Sequence, residues 1–142
     1  MEKCFVNTYT YDEIEVGYKE IFSVTITEQM LEQFRDITGD INPLHNDEQY
    51  AVSKGYKGRV AYGMLTASFM STLAGVYLPG ERSLIHEVEI KFAKPVFAGD
   101  VIEVEGVVTE KNDTFSILMV KVTMKNQAGE KVCRGKMQIG VA

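Results

Sequence analysis

A long uncharged stretch from Gly63 to about Val76 constrains the fold more than any other feature of the sequence. Its large residues are apolar, and the polar residues between them are small Ser and Thr side chains. Because a helix without charge on any face has no side suited to water, we expect it inside a core, wrapped by other elements. Pro79 and Gly80 then end the helix, since both residue types favour turns.

The second half of the chain supplies the elements that would wrap this helix. Its β-branched and polar residues alternate, which predicts strands separated by short turns. Because consecutive strands pair most economically as hairpins, the sheet is expected to be antiparallel. Together with the buried helix this gives an α+β fold, in which a curved antiparallel sheet surrounds a central apolar helix. The predicted strands span residues 84–92, 101–109, 115–125 and 132–141.

The first half of the chain predicts one further strand and an amphipathic helix. Apolar and polar residues alternate over 22–27, which is typical of a half-buried strand. Thr27 is suited to cap a helix over 28–38, and Gly39 is placed to end it. The residues spaced to share the core-facing side of this helix are Leu31, Phe34 and Ile37.

A polar segment, 39–47, follows this helix and carries the residues best suited to chemistry. Pro43 lacks an N–H and disfavours helical backbone at Asn42, so a loop is expected here before a short helix over 48–54. Asp40 and His45 would form a plausible acid and base pair, because their unperturbed pKa values lie near 3.9 and about 6.5. From spacing alone, a purely structural role in Asx turns is favoured over the catalytic one.

Composition excludes several classes of protein. The formal charge is -5 and there is no basic stripe, so nucleic acid is not an expected partner. No stretch approaches the roughly 18 apolar residues of a membrane span, and no secretory leader is visible, so a cytoplasmic location is expected. The length of 142 residues fits a single domain over 1–142. Cys4 and Cys133 lie far apart in sequence and are expected to be structural or inert.

Three blocks of the sequence resemble one enzyme family. The run from Phe34 to His45, with Ala51 six residues further on, resembles the signature of the MaoC-like, (R)-specific enoyl-CoA hydratases. The block Arg59–Leu65 resembles the entry into that family's central helix. The block Lys91–Asp100 resembles a later strand and turn, so the similarity covers nearly the whole chain.

This resemblance implies a hot-dog fold and a hydro-lyase reaction. The sheet would wrap the central helix, and two sheets would pair edge to edge in a homodimer. The reaction would be reversible syn addition of water to a trans-2-enoyl thioester, giving the (R)-3-hydroxyacyl thioester. The family uses no metal and no redox cofactor; the substrate is carried by coenzyme A or an acyl carrier protein.

The resemblance also assigns roles to individual residues. Asp40 would take a proton from water, His45 would orient that water and help to deliver a proton, and Asn42 would assist. Gly63 opens the buried helix, where free N–H groups and the helix dipole favour the anionic thioester oxygen of the enolate intermediate. Tight packing of the helix on the sheet is the alternative role of Gly63.

Further residues are weaker candidates. Ser71 matches a polar active-site position of some family members, although it lies about 12 Å along the helix from Gly63 and also suits simple packing. The substrate wall is expected to include Tyr62, where the family usually has His, and Met64. Lys57 and Arg59 are candidates for binding the phosphates of coenzyme A or an acidic carrier protein, and a solvated surface is the alternative.

Two other functions remain open from the sequence alone. A hot-dog acyl-CoA thioesterase would also use a carboxylate near a helix N-terminus, although His45 at its spacing from Asp40 argues against it. A non-catalytic acyl-binding module would not need the Asp40, Asn42 and His45 set. Sequence does not disclose whether these side chains converge in space.

Overall fold

The structure, a computed structural model, describes residues 5–142 and contains the expected sheet. Its five strands form one antiparallel sheet in the order β1-β3-β4-β5-β2. The third predicted strand starts later than residue 115, because Ser116 has a φ of 53°, which is left-handed rather than extended. The strands are β1 (Lys19–Thr25), β2 (Ser83–Phe92), β3 (Val101–Asn112), β4 (Ile117–Lys125) and β5 (Lys131–Val141).

The helices lie between β1 and β2, apart from a short 3-10 turn over Tyr11–Glu13. They are α1 (Glu28–Thr38), α2 (Pro43–Asn46), α3 (Glu48–Ser53) and α4 (Gly63–Thr72), and α4 continues as a π-helical segment over Leu73–Tyr77. The predicted ends of α1 are confirmed: Thr27 Oγ1 accepts a hydrogen bond from the Met30 N–H, and Gly39 ends the helix in a left-handed conformation with φ 73°.

The central helix packs against the concave face of the sheet, as the uncharged stretch predicts. Phe69, Met70 and Leu73 are buried in one apolar cluster with residues of β1, β3, β4 and β5, and partly buried residues of β2 pack against it. The approach is close at Gly106 of β3, where an added Cβ would lie 2.7 Å from a terminal carbon of Leu73. This missing side chain lets the sheet curve tightly around the helix.

Two expectations for the first half of the chain are wrong. The segment expected to be entirely loop contains α2, because Pro43 occupies the first helical position, where its fixed φ suits the helix and its missing N–H costs nothing. Ile37 was expected to share a buried face with Leu31, yet it is 82 % exposed. Burial falls from Leu31 through Phe34 to Ile37, so the last turn of α1 leaves the core.

One edge of the sheet is long and carries exposed apolar side chains. β2 pairs only with β5 in the described part of the chain, and its Leu84, Val88 and Phe92 are 66 %, 45 % and 51 % exposed. Such an edge offers backbone hydrogen-bonding groups to another strand.

Residues 5–142 contain no helix with the length and apolar character needed to cross a bilayer. Cys4 lies outside the described residues.

Candidate active site

His45 lies on α2 and is held by the backbone of the segment that precedes α4. Its Nδ1 lies 2.6 Å from the carbonyl oxygen of Val60, and the Val60 N–H donates to the Leu44 carbonyl at 3.2 Å. Because a carbonyl oxygen only accepts, Nδ1 carries the proton. In neutral His45 the other ring nitrogen, Nε2, therefore has a free lone pair and acts as an acceptor.

Asp40 and Asn42 form two consecutive Asx turns that begin α2. Asp40 Oδ1 accepts from the Asn42 N–H at 3.1 Å, and Asn42 Oδ1 accepts from the Leu44 N–H at 3.0 Å. The structural role that spacing left open is thus present for both side chains. Asp40 nevertheless keeps its second oxygen without a partner among the described residues, whereas the oxygen of Asn42 is engaged in capping the helix.

Tyr62 ties this segment to the start of α4. Its hydroxyl donates to the Asp40 carbonyl oxygen at 2.6 Å and accepts from the Asn46 amide at 2.9 Å. The ring is 2 % exposed and lies against His45, with centroids 4.3 Å apart, and against Phe34 at 4.9 Å. One side chain therefore contacts the backbone of Asp40 and the imidazole of His45 together.

Asn46 is a residue that the sequence analysis missed. Its side-chain amide donates to Tyr62 and also to the carbonyl oxygen of Asn42 at 2.9 Å. No local sequence pattern indicates this role, because Tyr62 lies 16 residues away. Asn46 completes a hydrogen-bonded connection between α2, the Asp40 turn and the start of α4.

Two cavities meet at His45, Gly63 and Phe92. The loop cavity, of about 510 Å³, is lined by Asp40, His45 and Gly63. The helix cavity, of about 290 Å³, lies on the other side of these shared residues and is mostly apolar. The loop cavity is lined in addition by Phe34, Thr38, Tyr62 and Met64. The helix cavity is lined in addition by Tyr56, Val60, Ala61, Thr66, Ala93, Lys94, Pro95, Val96 and Cys133.

Gly63 is the first residue of α4 and satisfies both roles considered for it. Its N–H has no acceptor among the described residues, as expected for the first turn of a helix. An added Cβ would lie 3.1 Å from the Phe92 ring, so the position is also tightly packed. The α4 N-terminus therefore presents a free donor, with a positive dipole end, to both cavities.

Thr66, one turn along α4, is a second residue that the sequence analysis missed. It is 1 % exposed and lines the helix cavity. Its Oγ1 is buried and has no hydrogen-bond partner among residues 5–142. Sequence alone indicates only a small polar residue in an apolar helix, and such residues are usually packing residues; the missing partner is visible only in the fold.

The remaining candidate residues lie at the edge of the loop cavity or outside it. Met64 is 63 % exposed at the mouth of the loop cavity. Ser71 is exposed and lines neither cavity. Lys57 and Arg59 line a separate groove, where Lys57 Nζ lies 4.6 Å from the centre of the Phe97 ring and Arg59 lies 3.8 Å from Glu28.

The acidic side chain next to Arg59 offsets part of the positive charge expected in this groove. Glu28 and Glu48 both line it.

In residues 5–142, no three His, Cys, Asp or Glu side chains gather closely enough to hold a metal ion.

Comparisons with known proteins find a family model and relatives named as hydratase and dehydratase enzymes. Residues 11–130 match the model of the MaoC-like domain family. A (R)-specific enoyl-CoA hydratase of Rhodospirillum rubrum is 35 % identical over 105 residues, 71 % of this chain and 73 % of the relative. A 3-hydroxybutyryl-CoA dehydratase of Methylorubrum extorquens is 35 % identical over 100 residues, which is 70 % of this chain and 64 %, less than two thirds, of that relative.

A solved structure agrees over almost the full chain. The unliganded R-hydratase of Pseudomonas aeruginosa superposes with a TM-score of 0.90 at 34 % identity, covering 96 % of this chain and 87 % of that one.

Proposed function

Because the chain belongs to the MaoC-like domain family, we propose that it catalyses the reversible, (R)-specific addition of water to trans-2-enoyl-CoA. The family, the hot-dog fold and the hydro-lyase class expected from the sequence are confirmed. The stereochemistry, the acyl carrier and the catalytic residues are the parts proposed here. The observation that carries the proposal is that Asp40, His45 and Gly63 line the same cavity.

The two catalytic side chains would share one water molecule. His45 donates through Nδ1 to Val60, so its Nε2 accepts a hydrogen bond from the water and orients it. The free carboxylate oxygen of Asp40 removes the other proton of that water as the water oxygen bonds to the β-carbon. The electron pair of the double bond moves onto the thioester, forming an enolate.

The enolate collapses when Asp40 returns the proton to the α-carbon, and His45 keeps its Nε2 hydrogen bond to the new hydroxyl group. The proton taken from water thus reaches the α-carbon, and the hydroxyl group stays on the β-carbon, so the atoms balance. In this scheme the proton and the hydroxyl group both come from the side of the substrate that faces Asp40 and His45, so the addition is syn. Dehydration of the (R)-3-hydroxyacyl thioester is the same path reversed, and its direction depends on substrate supply.

Gly63 would stabilise the enolate oxygen through its free N–H. The group has no protein acceptor among the described residues, and the helix dipole adds a favourable field. Removal of one such donor in comparable sites lowers kcat by about 10² to 10³. Tyr62 links the Asp40 turn to the N-terminus of α4 through its hydrogen bond to the Asp40 carbonyl. One contact therefore positions both the proposed base and the proposed donor to the enolate oxygen.

The substrate would be an acyl thioester of coenzyme A or of an acyl carrier protein, and no metal or redox cofactor takes part in the proposed steps. Lys57 and Arg59 are the proposed contacts to carrier phosphates, at the groove they line. Met64, at the rim of the loop cavity, is a proposed substrate contact. We assign Asn42 to positioning the Asp40 turn. Ser71, which is exposed and lines neither cavity, takes no part in the proposed steps.

The proposed assembly is a homodimer formed by two β2 edges. The exposed apolar side chains of β2 and its free backbone groups are suited to pairing with a second copy. Phe92 at the end of β2 lines both cavities, so this pairing would place the dimer interface next to the active site.

The test is loss of the enoyl absorbance of crotonyl-CoA, with chiral analysis of the product. We expect rapid loss giving the (R)-alcohol, and a fall in kcat of at least about 10² for Asp40→Asn with the fold retained. Asp36→Asn is the matched control, since Asp36 is an exposed carboxylate on α1 that lines neither cavity. Release of free thiol without hydration would favour the thioesterase, and full activity of Asp40→Asn would exclude Asp40 as the base.

A further inference from the structure

We propose that the hydroxyl of Thr66 is a second hydrogen-bond donor to the thioester oxygen, beside the N–H of Gly63. This inference rests on the hydration reaction proposed above, because it assigns a donor to the enolate formed there. Its basis is a buried hydroxyl that the folded chain leaves unpaired next to the α4 N-terminus.

The unpaired state of Thr66 is unusual within the described part of the chain. Among residues 5–142, Thr66 Oγ1 is the sole buried side-chain nitrogen or oxygen without a hydrogen-bond partner. Buried polar groups are nearly always paired in folded proteins, and the exceptions often occur where a ligand or water completes the site. A buried hydroxyl without a hydrogen bond lowers the stability of the fold, so this hydroxyl is suited to a hydrogen-bond acceptor that the substrate brings.

Helix geometry places this hydroxyl beside Gly63. Side chains of a helix lean towards its N-terminus, so a side chain at position i+3 lies over the turn that begins at position i. Thr66 therefore covers the turn that Gly63 opens, and Gly63 has no Cβ to separate the two donors. Both residues line the helix cavity, together with His45.

A rotation of its own side chain would give the hydroxyl access to the cavity that Thr66 lines. Thr66 is 1 % exposed and its Oγ1 is covered in the unliganded chain. Threonine in a helix has two accessible χ1 positions. Rotation about the Cα–Cβ bond exchanges the covered hydroxyl for the methyl group. Since Oγ1 has no hydrogen bond to lose, ligand binding alone can select the second position.

The thioester oxygen is the ligand atom that best fits this place. The reacting water must lie near Asp40, and Asp40 lines only the loop cavity. Gly63 lines both cavities, and Thr66 lines the helix cavity. A thioester oxygen bound to the Gly63 N–H would therefore lie at the helix cavity, next to Thr66. The rest of the helix cavity is mainly apolar. In an apolar site a hydrogen bond to an anionic oxygen is stronger than in water, because water does not compete for the donor.

The test compares Thr66→Val, which keeps the shape and removes the hydroxyl, with Thr66→Ser, which keeps the hydroxyl. In crotonyl-CoA hydration we expect Thr66→Val to lower kcat about 10- to 100-fold with KM changed less than about threefold, in line with loss of an oxyanion donor. Thr66→Ser should retain kcat within about threefold. Thr72→Val, the same change at the end of α4, is the matched control because Thr72 lines neither cavity.

Thermal unfolding separates this role from a structural one. Because the hydroxyl is unpaired in the free protein, Thr66→Val should unfold at the same temperature as the wild type or higher. A lower unfolding temperature together with lower kcat would assign the hydroxyl to structure and overturn the proposal. Wild-type kcat in Thr66→Val would overturn it as well. Should Thr66→Val not fold, Thr66→Ser and Thr66→Ala replace it, and equal kcat in those two refutes the donor.

A second readout does not depend on turnover. Acetoacetyl-CoA forms an enolate with its own ultraviolet absorbance, and bound wild-type protein should lower the pH at which that enolate appears. Thr66→Val should shift this pH upward, and Thr66→Ser should not. Absence of hydration by the wild type would reject the proposed function on its own. A wild type that does not bind the enolate, or an unshifted Thr66→Val, would reject the role of Thr66.

Discussion

Substitution of Tyr62 by Phe tests whether the loop that carries Asp40 and His45 depends on one hydroxyl. The change removes the hydrogen bond to the Asp40 carbonyl at 2.6 Å and the one from Asn46 at 2.9 Å, and keeps the ring against Phe34 and His45. Each such bond contributes about 1 kcal/mol net. Asn46 retains its bond to Asn42, so the expected loss is about 1 to 2 kcal/mol.

This loss of stability corresponds to a fall in the unfolding temperature of roughly 4 to 8 °C for a chain of this size. Activity should fall further than stability, because the backbone of Asp40 loses its main contact with α4. Displacement of a catalytic group by about 1 Å costs roughly 10² in rate, so we expect kcat to fall between about 10- and 100-fold. KM should change little, since the Tyr62 ring remains in the cavity wall.

Steady-state hydration of crotonyl-CoA and thermal unfolding of the same preparations measure both effects. Tyr11→Phe is the control, because it also removes a hydroxyl hydrogen bond, to Asp113 at 2.6 Å, and Tyr11 lines neither cavity. The control should keep its kcat. Unchanged kcat in Tyr62→Phe, with the expected loss of stability, would show that the hydroxyl holds the fold without positioning Asp40. Unchanged stability would refute the hydrogen-bond argument itself.

Three further outcomes are expected. Asp40→Asn and His45→Ala should each reduce kcat by at least about 10², and the double variant should lose less than the product of the two if the pair acts on one water; a fully multiplicative loss would show independent roles. Burial raises the pKa of the Cys133 thiol from 9.0 to about 11. The unfolded chain therefore loses this proton first, and stability should fall as pH rises from 9 to 11. Denaturant midpoints across that range should show a smaller decline in Cys133→Ala, and equal slopes would reject the assignment. Leu73→Ala, at a wholly buried side chain, should lower the unfolding free energy by about 2 to 5 kcal/mol in urea titration, and a loss below about 1 kcal/mol would mean that the sheet closes onto the helix.

The elements that the sequence predicted well are those governed by near neighbours. Thr27 and Gly39 begin and end α1 through contacts within a few residues, so their roles are readable from the sequence. The Pro43 segment shows the limit of such reasoning. Pro43 was expected to prevent a helix, yet it begins one, because the Asn42 side chain caps the turn that follows.

The candidate site divides along the same line. The motif around Asp40 and His45 was visible in the sequence, because its members lie within a few positions of one another. Asn46 and Thr66 were not, because a partner 16 residues away in one case, and the lack of any partner in the other, depend on how distant segments pack. Tyr62 was identified only as a changed wall residue, and its hydrogen bond to Asp40 spans 22 positions.

The sequence by itself determined the buried central helix, the alternating strands and the residue types available for acid and base chemistry, because periodicity and capping act over one or two turns. The tertiary structure alone decided that His45 holds its Nδ1 proton against Val60, that Asp40 faces the same cavity, and that the Thr66 hydroxyl has no partner. These facts depend on side chains brought together by the closing of the sheet around α4, which no local pattern encodes.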